Sequence, residues 1–255
     1  MHVLIDRPYF ILVWLFAVLW LATRLGTLLR KHFGAITDDV REDLGVIRAA
    51  AFTLLGLVIG FMFSMAVGRY DLRKTHEAVE ANAIGTEYLR AGLLPAADAD
   101  RVRALLRDYL DNRILFYQTR ARDRIRQINA RTAQLQTQLW SAVREPAATQ
   151  GTAIVGLAVA GMNEVLDSEG STQAAWSNRI PFTAWALLGT IAVFCSVMLG
   201  YSVRSAKGEV PMQLALPFLL GVALALIADI ESPRGGIIVV SPENLSILKA
   251  SLDAH

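Results

Sequence analysis

Four long apolar runs constrain this chain more than any other feature of its sequence. They are residues 9–29, 49–67, 180–203 and 210–228. Each run is close to the roughly 20 residues that an α-helix needs to cross the hydrocarbon core of a bilayer. The chain has 54% apolar residues, above the roughly 45–50% of soluble domains. The runs therefore predict an all-α membrane protein with four transmembrane helices.

The second apolar run continues into a charged segment without a residue that would end a helix. No proline lies between Pro8 and Pro95, and the segment "TDDVREDL" at 37–44 offers an N-cap followed by acids in the first turn. No strong terminator follows until after Arg90. We therefore predict one helix of about 50 residues, on the order of 75 Å long, that crosses the membrane and extends beyond it.

The region between the second and third runs has a helical pattern throughout. Beyond Pro95, apolar residues recur at helical spacing as far as Val143, which predicts a second long helix. A shorter and more buried helix is predicted at 148–170, and Pro181 opens the third span. The predicted domains are spans 1 and 2 at 1–70, an extramembrane helical domain of about 110 residues at 71–180, spans 3 and 4 at 181–231, and a C-terminal tail at 232–255.

Two faces of the second span differ in side-chain size. Small residues recur at every fourth position: Gly56, Gly60, Ser64 and Gly68. Such a stripe lets another helix approach closely. The other face carries bulky apolar side chains and ends at an arginine: Val58, Phe61, Met62, Met65 and Arg69. This face would contact neighbouring helices or lipid in a monomer, or line an axial pore as a hydrophobic constriction in a ring of subunits.

Acidic side chains near the span ends are candidates for the mouths of such a pore. They are Asp38, Asp39, Glu42, Asp43, Asp229 and Glu231. Rings of these acids would concentrate cations, whereas a ring of Arg69 would favour anions. For Asp229 and Glu231, a hydrated helix end is an equally good interpretation. The ion selectivity therefore does not follow from the sequence.

Charged residues outside the spans also have two interpretations each. Glu77, Glu80 and Glu87 are spaced for surface ion pairs on one helix, or for bridges between subunits. The segment from Arg113 to Arg131 holds six arginines and one acid, which favours a solvated face over a surface for lipid headgroups or anions. A buried polar network is a further hypothesis, with these members: Asn82, Thr86, Asn163, Glu164 and Asp167.

Several classes of function lack support in the sequence. There is no glycine-rich phosphate loop, nucleophile elbow, HExxH motif or pair of cysteines, so we predict neither an enzyme nor a cofactor. The four histidines lack metal-ligand spacing, so we predict no metal site. A net charge of +2 does not provide the basic surface that nucleic acid requires. The expected partners are the lipid bilayer, inorganic ions and other copies of the chain.

Three stretches of the sequence resemble a known family. They are "SMAVGRYDLRKTHEAVEANAIGTEYLRAGLLP", "MNEVLD" and "DIESPRGGIIVVSPENL". They are similar to the bacterial integral membrane proteins with a bestrophin-like domain, from the second span to about Leu248. This resemblance implies a distant relation to bestrophins, which are pentameric ion channels with four spans, cytosolic termini, a helical cytosolic region after the second span and a pore lined by that span. It places the pore neck at Phe61, Met62 and Met65.

The resemblance favours a homo-oligomeric, pentameric ion channel in the bacterial inner membrane. The alternative is a non-conducting scaffold or sensor whose helical domain recruits a partner. Lysines and arginines are nearly balanced on the two sides of the spans. An even number of spans places both termini and the helical domain on one side, and the single Cys195 gives no sign of a disulfide framework. We therefore expect that side to be cytosolic.

Overall fold

A computed structural model describes residues 8–33, 38–149, 151–202 and 210–254. These residues form eight α-helices and one 3₁₀ turn, with no β-strand among them. The elements are α1 (Pro8–Phe33), α2 (Asp38–Arg90), the 3₁₀ turn (Ala91–Leu93), α3 (Ala96–Gln118), α4 (Arg122–Thr149), α5 (Ala153–Ser177), α6 (Phe182–Ser202), α7 (Val210–Glu231) and α8 (Glu243–Asp253). The predicted all-α class is confirmed.

Within the described residues, four helical segments are long and apolar enough to cross a membrane. They lie within Phe10–His32, Val40–Leu93, Ala153–Ser202 and Gln213–Glu231. The four predicted spans are therefore confirmed by length and composition. The prediction of one long helix is also confirmed, because α2 runs without interruption for 53 residues.

The chain forms two compact units. The span unit comprises Met1–Gly68 and Arg179–Val239, and the helical unit comprises Arg69–Asn178 and Val240–His255. Helix α2 contributes its first part to the span unit and its remainder to the helical unit. The C-terminal helix α8 belongs to the helical unit.

In the span unit, α1 packs against α6 and α7. The crossing of α1 and α6 depends on two glycines. A Cβ atom on Gly26 would overlap the carbonyl oxygen of Val197, and one on Gly200 would overlap the carbonyl oxygen of Thr23. The two backbones therefore touch at this crossing, as small residues allow between membrane helices.

In the helical unit, α3 and α4 form an antiparallel hairpin. The prediction of one long helix over this region is wrong, because residues 119–121 break it. The side-chain amide of Asn112 donates to the carbonyl oxygen of Ile128 (3.1 Å) and to Oγ1 of Thr132 (2.8 Å) across the hairpin. Folding back buries the apolar stripes of α3 and α4 against each other, whereas a single helix would leave them in water.

The helix predicted at 148–170 is α5, displaced to Ala153–Ser177. Its N-cap is Thr152, whose hydroxyl accepts a hydrogen bond from the backbone N–H of Val155 (3.3 Å). Residues 171–177 contain neither glycine nor proline, so the helix continues for two more turns after Gly170.

Candidate functional site

One face of the α2 span packs into the interior of the span unit. Leu55, Met62 and Ala66 are 2%, 3% and 0% exposed. Their spacing of seven and four residues places them on the same side of the helix. Met62 is therefore an interior residue of the subunit, and we remove it from the predicted pore lining.

A neighbouring side of the same span, about 100° around the helix from the buried face, exposes large apolar side chains. Phe61 is 62% exposed and Met65 is 41% exposed, while Val58 is half-buried. A phenylalanine and a methionine one turn apart form a continuous apolar surface about 5 Å high along the helix. Of the predicted lining residues, Phe61 and Met65 are the ones that the subunit leaves available to a lumen.

The small-residue stripe of α2 is also exposed. A Cβ atom on Gly56, Gly60 or Gly68 would meet no other atom within 4 Å, and Ser64 is exposed. No helix of the same subunit packs against these residues within the described part of the chain. Contact between this stripe and a second copy of the chain stays a prediction.

Arg69 lies at the first position of the helical unit. Its guanidinium donates a hydrogen bond to Oδ1 of Asn178 (2.7 Å), and the side chain is half-buried. Asn178 is the last residue of the helical unit before the chain returns to the span unit. This hydrogen bond therefore joins the residue at which the chain enters the helical unit to the residue at which it leaves for the next span.

The acidic candidates lie in different surroundings. Glu42 and Asp43 are exposed, and the side chains of Asp38 and Asp39 lie outside the described residues. Asp229 and Glu231 are each only 6% exposed, so the interpretation of a hydrated helix end is wrong for both. Burial of two carboxylates requires hydrogen-bond donors, and the fold supplies them.

Asp229 organises the segment that follows α7. Its carboxylate accepts hydrogen bonds from the backbone N–H groups of Ile237 (2.8 Å) and Ile238 (2.9 Å). Gly236 lies so close that a Cβ atom there would be 2.6 Å from the carbonyl oxygen of Asp229. Glu231 accepts a hydrogen bond from the backbone N–H of Ile180 (2.6 Å). Both acids therefore bind main-chain amides.

Replacing Asp229 with asparagine is expected to lower the free energy of unfolding by about 1–3 kcal/mol. Asparagine keeps one acceptor but turns an NH₂ group towards the N–H groups that the carboxylate bound. The measurement is thermal unfolding of the purified protein in detergent. The exposed Asp100 provides the control D100N, which should change stability by less than about 0.5 kcal/mol. Equal stability of D229N and the unmodified protein would contradict the assignment.

The helical unit contains a buried ion cluster. Its centre is Arg113, whose Nε and Nη2 bind the carboxylate of Glu80. Both side chains are completely buried. The hydroxyl groups of Tyr117 (3.1 Å) and Thr172 (3.3 Å) also donate to Glu80 Oε2. Glu169 completes the cluster at 3.5 Å from Arg113 Nη1.

This cluster corrects two sequence-based interpretations. Glu80 was expected on a solvated or intersubunit surface, and Arg113 on a solvated basic face. Both are wrong, because the two charges neutralise each other in the core of one subunit. The guanidinium of Arg113 also lies 4.4 Å from the ring centre of Phe116, in cation–π contact.

Glu77 is likewise buried and does not form a surface pair. Its carboxylate accepts hydrogen bonds from Asn244 Nδ2 (2.6 Å) and from the backbone N–H of Leu245 (2.9 Å). These donors belong to the first turn of α8, where backbone N–H groups lack partners within the helix. Glu77 therefore fixes the C-terminal helix to α2.

Glu87 is a buried acid without such partners. It is 0% exposed, and neither carboxylate oxygen has a hydrogen-bond partner among the described residues. Desolvation raises its pKa to about 8, although Arg90 acts in the opposite direction. Arg90 forms its ion pair with Glu164 (3.1 Å). Gly161 provides the space for the Glu87 side chain, because a Cβ atom there would overlap Oε2.

The predicted polar network is wrong in its membership. Asn82, Thr86, Asn163, Glu164 and Asp167 are all exposed. The buried charges of α2 lie on another face: Arg73, Glu77, Glu80 and Glu87. They share this face with the buried Ile84, at alternating spacings of four and three residues. That spacing is the signal from which the sequence could have predicted buried charges.

No group of three histidine, cysteine, aspartate or glutamate side chains is placed to hold a metal ion within the described ranges. The candidate site thus has two parts. One is the exposed apolar face of the α2 span, and the other is the set of buried charges in the helical unit.

Comparison with solved structures shows the fold. A crystal structure of a bacterial bestrophin homologue from Klebsiella pneumoniae with a single substitution matches 95% of this chain and 94% of its own, with a TM-score of 0.66 and 14% identity. A crystal structure described as a membrane protein matches 94% and 97%, with a TM-score of 0.65 and 14% identity. A second variant of the Klebsiella pneumoniae homologue matches 94% and 97%, with a TM-score of 0.63 and 13% identity.

Sequence comparison shows the family. No curated protein sequence matches this chain. The profile of the Bestrophin-like domain matches residues 10–245, which include all four spans and almost all of the helical unit. The resemblance seen in the sequence is thereby confirmed, and this chain belongs to the Bestrophin-like family.

Proposed function

We propose that this protein is the subunit of a homo-oligomeric, pentameric ion channel whose axial pore is lined by the α2 span. The single observation that carries this proposal is the exposure of Phe61 and Met65 beside a face of α2 that packs into the subunit. Membership of the Bestrophin-like family supports the proposal. It also supports a function other than catalysis.

The exposed side of the α2 span consists of two neighbouring arcs. At 100° per residue, the small-residue stripe is centred about 100° around the helix from the midpoint of Phe61 and Met65. In a ring of subunits, one arc can contact the next copy while the other faces the axis. The stripe allows close helix contact, and the bulky arc provides a hydrophobic constriction that gates by dewetting.

Replacing Phe61 or Met65 with alanine is expected to raise the single-channel conductance by about twofold or more, because a smaller side chain widens and wets the constriction. The measurement uses purified protein in planar bilayers under a KCl gradient, with protein-free liposomes as the blank. The same recordings give the reversal potential, which distinguishes anion from cation conduction.

Phe63 provides a matched control. It is 41% exposed on the same helix and lies about 160° around the helix axis from Phe61. F63A therefore removes the same atoms from an exposed site that faces away from the proposed lumen, and its conductance should equal that of the unmodified protein. Unchanged currents in F61A and M65A, or equal changes in F61A and F63A, would contradict the pore assignment.

The assembly state distinguishes the channel from the alternative. We propose a pentamer in the bacterial inner membrane, with lipid and inorganic ions as partners and with the termini and the helical unit in the cytosol. The mass of the detergent-solubilised particle tests the stoichiometry. A monomer or dimer without conductance would favour the non-conducting scaffold or sensor, in which the exposed face of α2 contacts lipid.

A further inference from the structure

A cluster of exposed arginines surrounds the turn between α3 and α4. Arg120, Arg122, Arg124 and Arg126 are all exposed. Asp123 is the one acid among residues 119–126, and it pairs with Arg126. We call this segment the arginine turn. Its net charge is +3, from four arginines and one aspartate.

Contacts inside the helical unit locate the arginine turn along that unit. The rings of Phe116 and Tyr117 pack against Trp176, with ring centres 5.2 and 5.4 Å apart. Trp176 lies two residues before Asn178, which binds Arg69. The chain enters the helical unit at Arg69 and leaves it for the next span at Asn178. The arginine turn therefore lies at the end of the helical unit that carries its connections to the spans.

The opposite end of the same hairpin is different. There Arg101 of α3 pairs with Glu145 of α4 at 2.8 Å, so its charge is matched within the subunit. At the arginine turn, Arg122 and Arg124 lie in the first turn of α4. The helix dipole favours acids at that position and makes two arginines unfavourable. An anion bound to the arginines would offset this cost.

We propose that the arginine turn binds the phosphate groups of anionic lipid headgroups. The four spans require a bilayer, and the chain passes between the spans and the helical unit at this end of that unit. Clusters of basic residues immediately beyond a span attract anionic lipids. Arginine is suited to this role because its guanidinium binds phosphate through two parallel hydrogen bonds. The proposal depends on the spans and not on ion conduction.

Lipid binding to the full-length protein tests the proposal. The purified protein in detergent is titrated with palmitoyl-oleoyl phosphatidylglycerol or phosphatidylcholine, and bound lipid is counted by native mass spectrometry. R122Q/R124Q is expected to bind phosphatidylglycerol about tenfold more weakly. Its affinity for phosphatidylcholine should not change. R122K/R124K keeps the charge and should recover part of the affinity, which separates a charge effect from misfolding.

The control variant R101Q/R144Q removes the same charge from the other end of the hairpin, where Arg101 is paired and Arg144 is exposed. It should bind phosphatidylglycerol as the unmodified protein does. An equal loss in both variants would overturn the proposal, and so would full phosphatidylglycerol affinity in R122Q/R124Q. Binding of inorganic phosphate in place of the lipid, with phosphatidylglycerol unaffected by the substitutions, would also overturn it.

Discussion

Replacing Arg113 with methionine is expected to lower the free energy of unfolding by about 3–5 kcal/mol. The substitution leaves the Glu80 carboxylate completely buried without its cationic partner. Burial alone would lower the pKa of Arg113, but Glu80, Tyr109 and Glu169 together outweigh this effect and raise the pKa. Arg113 is therefore charged at neutral pH.

Unfolding of R113M in detergent can be followed by tryptophan fluorescence, since Trp176 packs on Phe116 and Tyr117 beside the cluster. The double variant E80M/R113M provides the matched control. It removes both charges and should be more stable than R113M alone, because replacing a whole buried ion pair is often nearly neutral whereas breaking it is not. Stability of R113M within about 1 kcal/mol of the unmodified protein would refute a structural role for the pair.

The spans and the continuous helix α2 could be predicted because their signals are local. An apolar run of sufficient length and the absence of proline between Pro8 and Pro95 are properties of neighbouring residues. The break at residues 119–121 has no such signal, since it contains neither glycine nor proline. It exists because α3 and α4 bury more apolar surface as a hairpin, and that is a tertiary effect.

The glycines show a similar limit of sequence reasoning. The regular spacing of Gly56, Gly60 and Gly68 predicts helix contact, yet within the subunit these residues contact no other helix. The closest crossing instead uses Gly26 and Gly200, which are single glycines in different runs with no repeat to identify them. A periodic stripe of small residues predicts a helix face that another helix can contact closely. It does not identify that other helix, which depends on the three-dimensional fold.

Sequence reasoning places the buried charges of α2 and α3 on the surface because it gives residue type more weight than position. Glutamate and arginine are almost never fully buried unless they are paired, which favours a surface interpretation for Glu77, Glu80 and Arg113. Their partners lie 33 or more residues away in sequence, as in the pair of Glu80 and Arg113. The charge pattern of α2 alone cannot identify those partners, although the spacing of its buried face could have shown that partners were needed.

Glu87 is expected to lower the free energy of unfolding as the pH rises from 4.5 to about 8. It lies 20 residues beyond Val67, the last residue of the apolar run of α2. Desolvation raises its pKa from 4.5 to about 8 in the folded protein. Below pH 4.5 the acid is protonated in both states and has no effect. Between pH 4.5 and 8 the unfolded chain releases this proton and the folded protein keeps it, so the free energy of unfolding falls as the pH rises.

The slope in this interval is about 1.4 kcal/mol per pH unit, and above pH 8 the contribution of Glu87 is constant. E87Q replaces the neutral acid with a neutral group of similar shape and removes the dependence. We therefore expect E87Q and the unmodified protein to have similar stability near pH 4.5. At pH 8, E87Q should be more stable by several kcal/mol.

Melting temperatures in detergent at pH 5, 6.5 and 8 measure this difference, and its change with pH is the decisive quantity. E145Q provides the control, since Glu145 is an exposed partner of Arg101 and should alter stability by no more than about 1 kcal/mol at each pH. If the advantage of E87Q did not grow with pH, Glu87 would be ionised in the folded protein. Arg90 would then have to leave Glu164 to neutralise it, and E164Q would increase stability by releasing Arg90 for that contact.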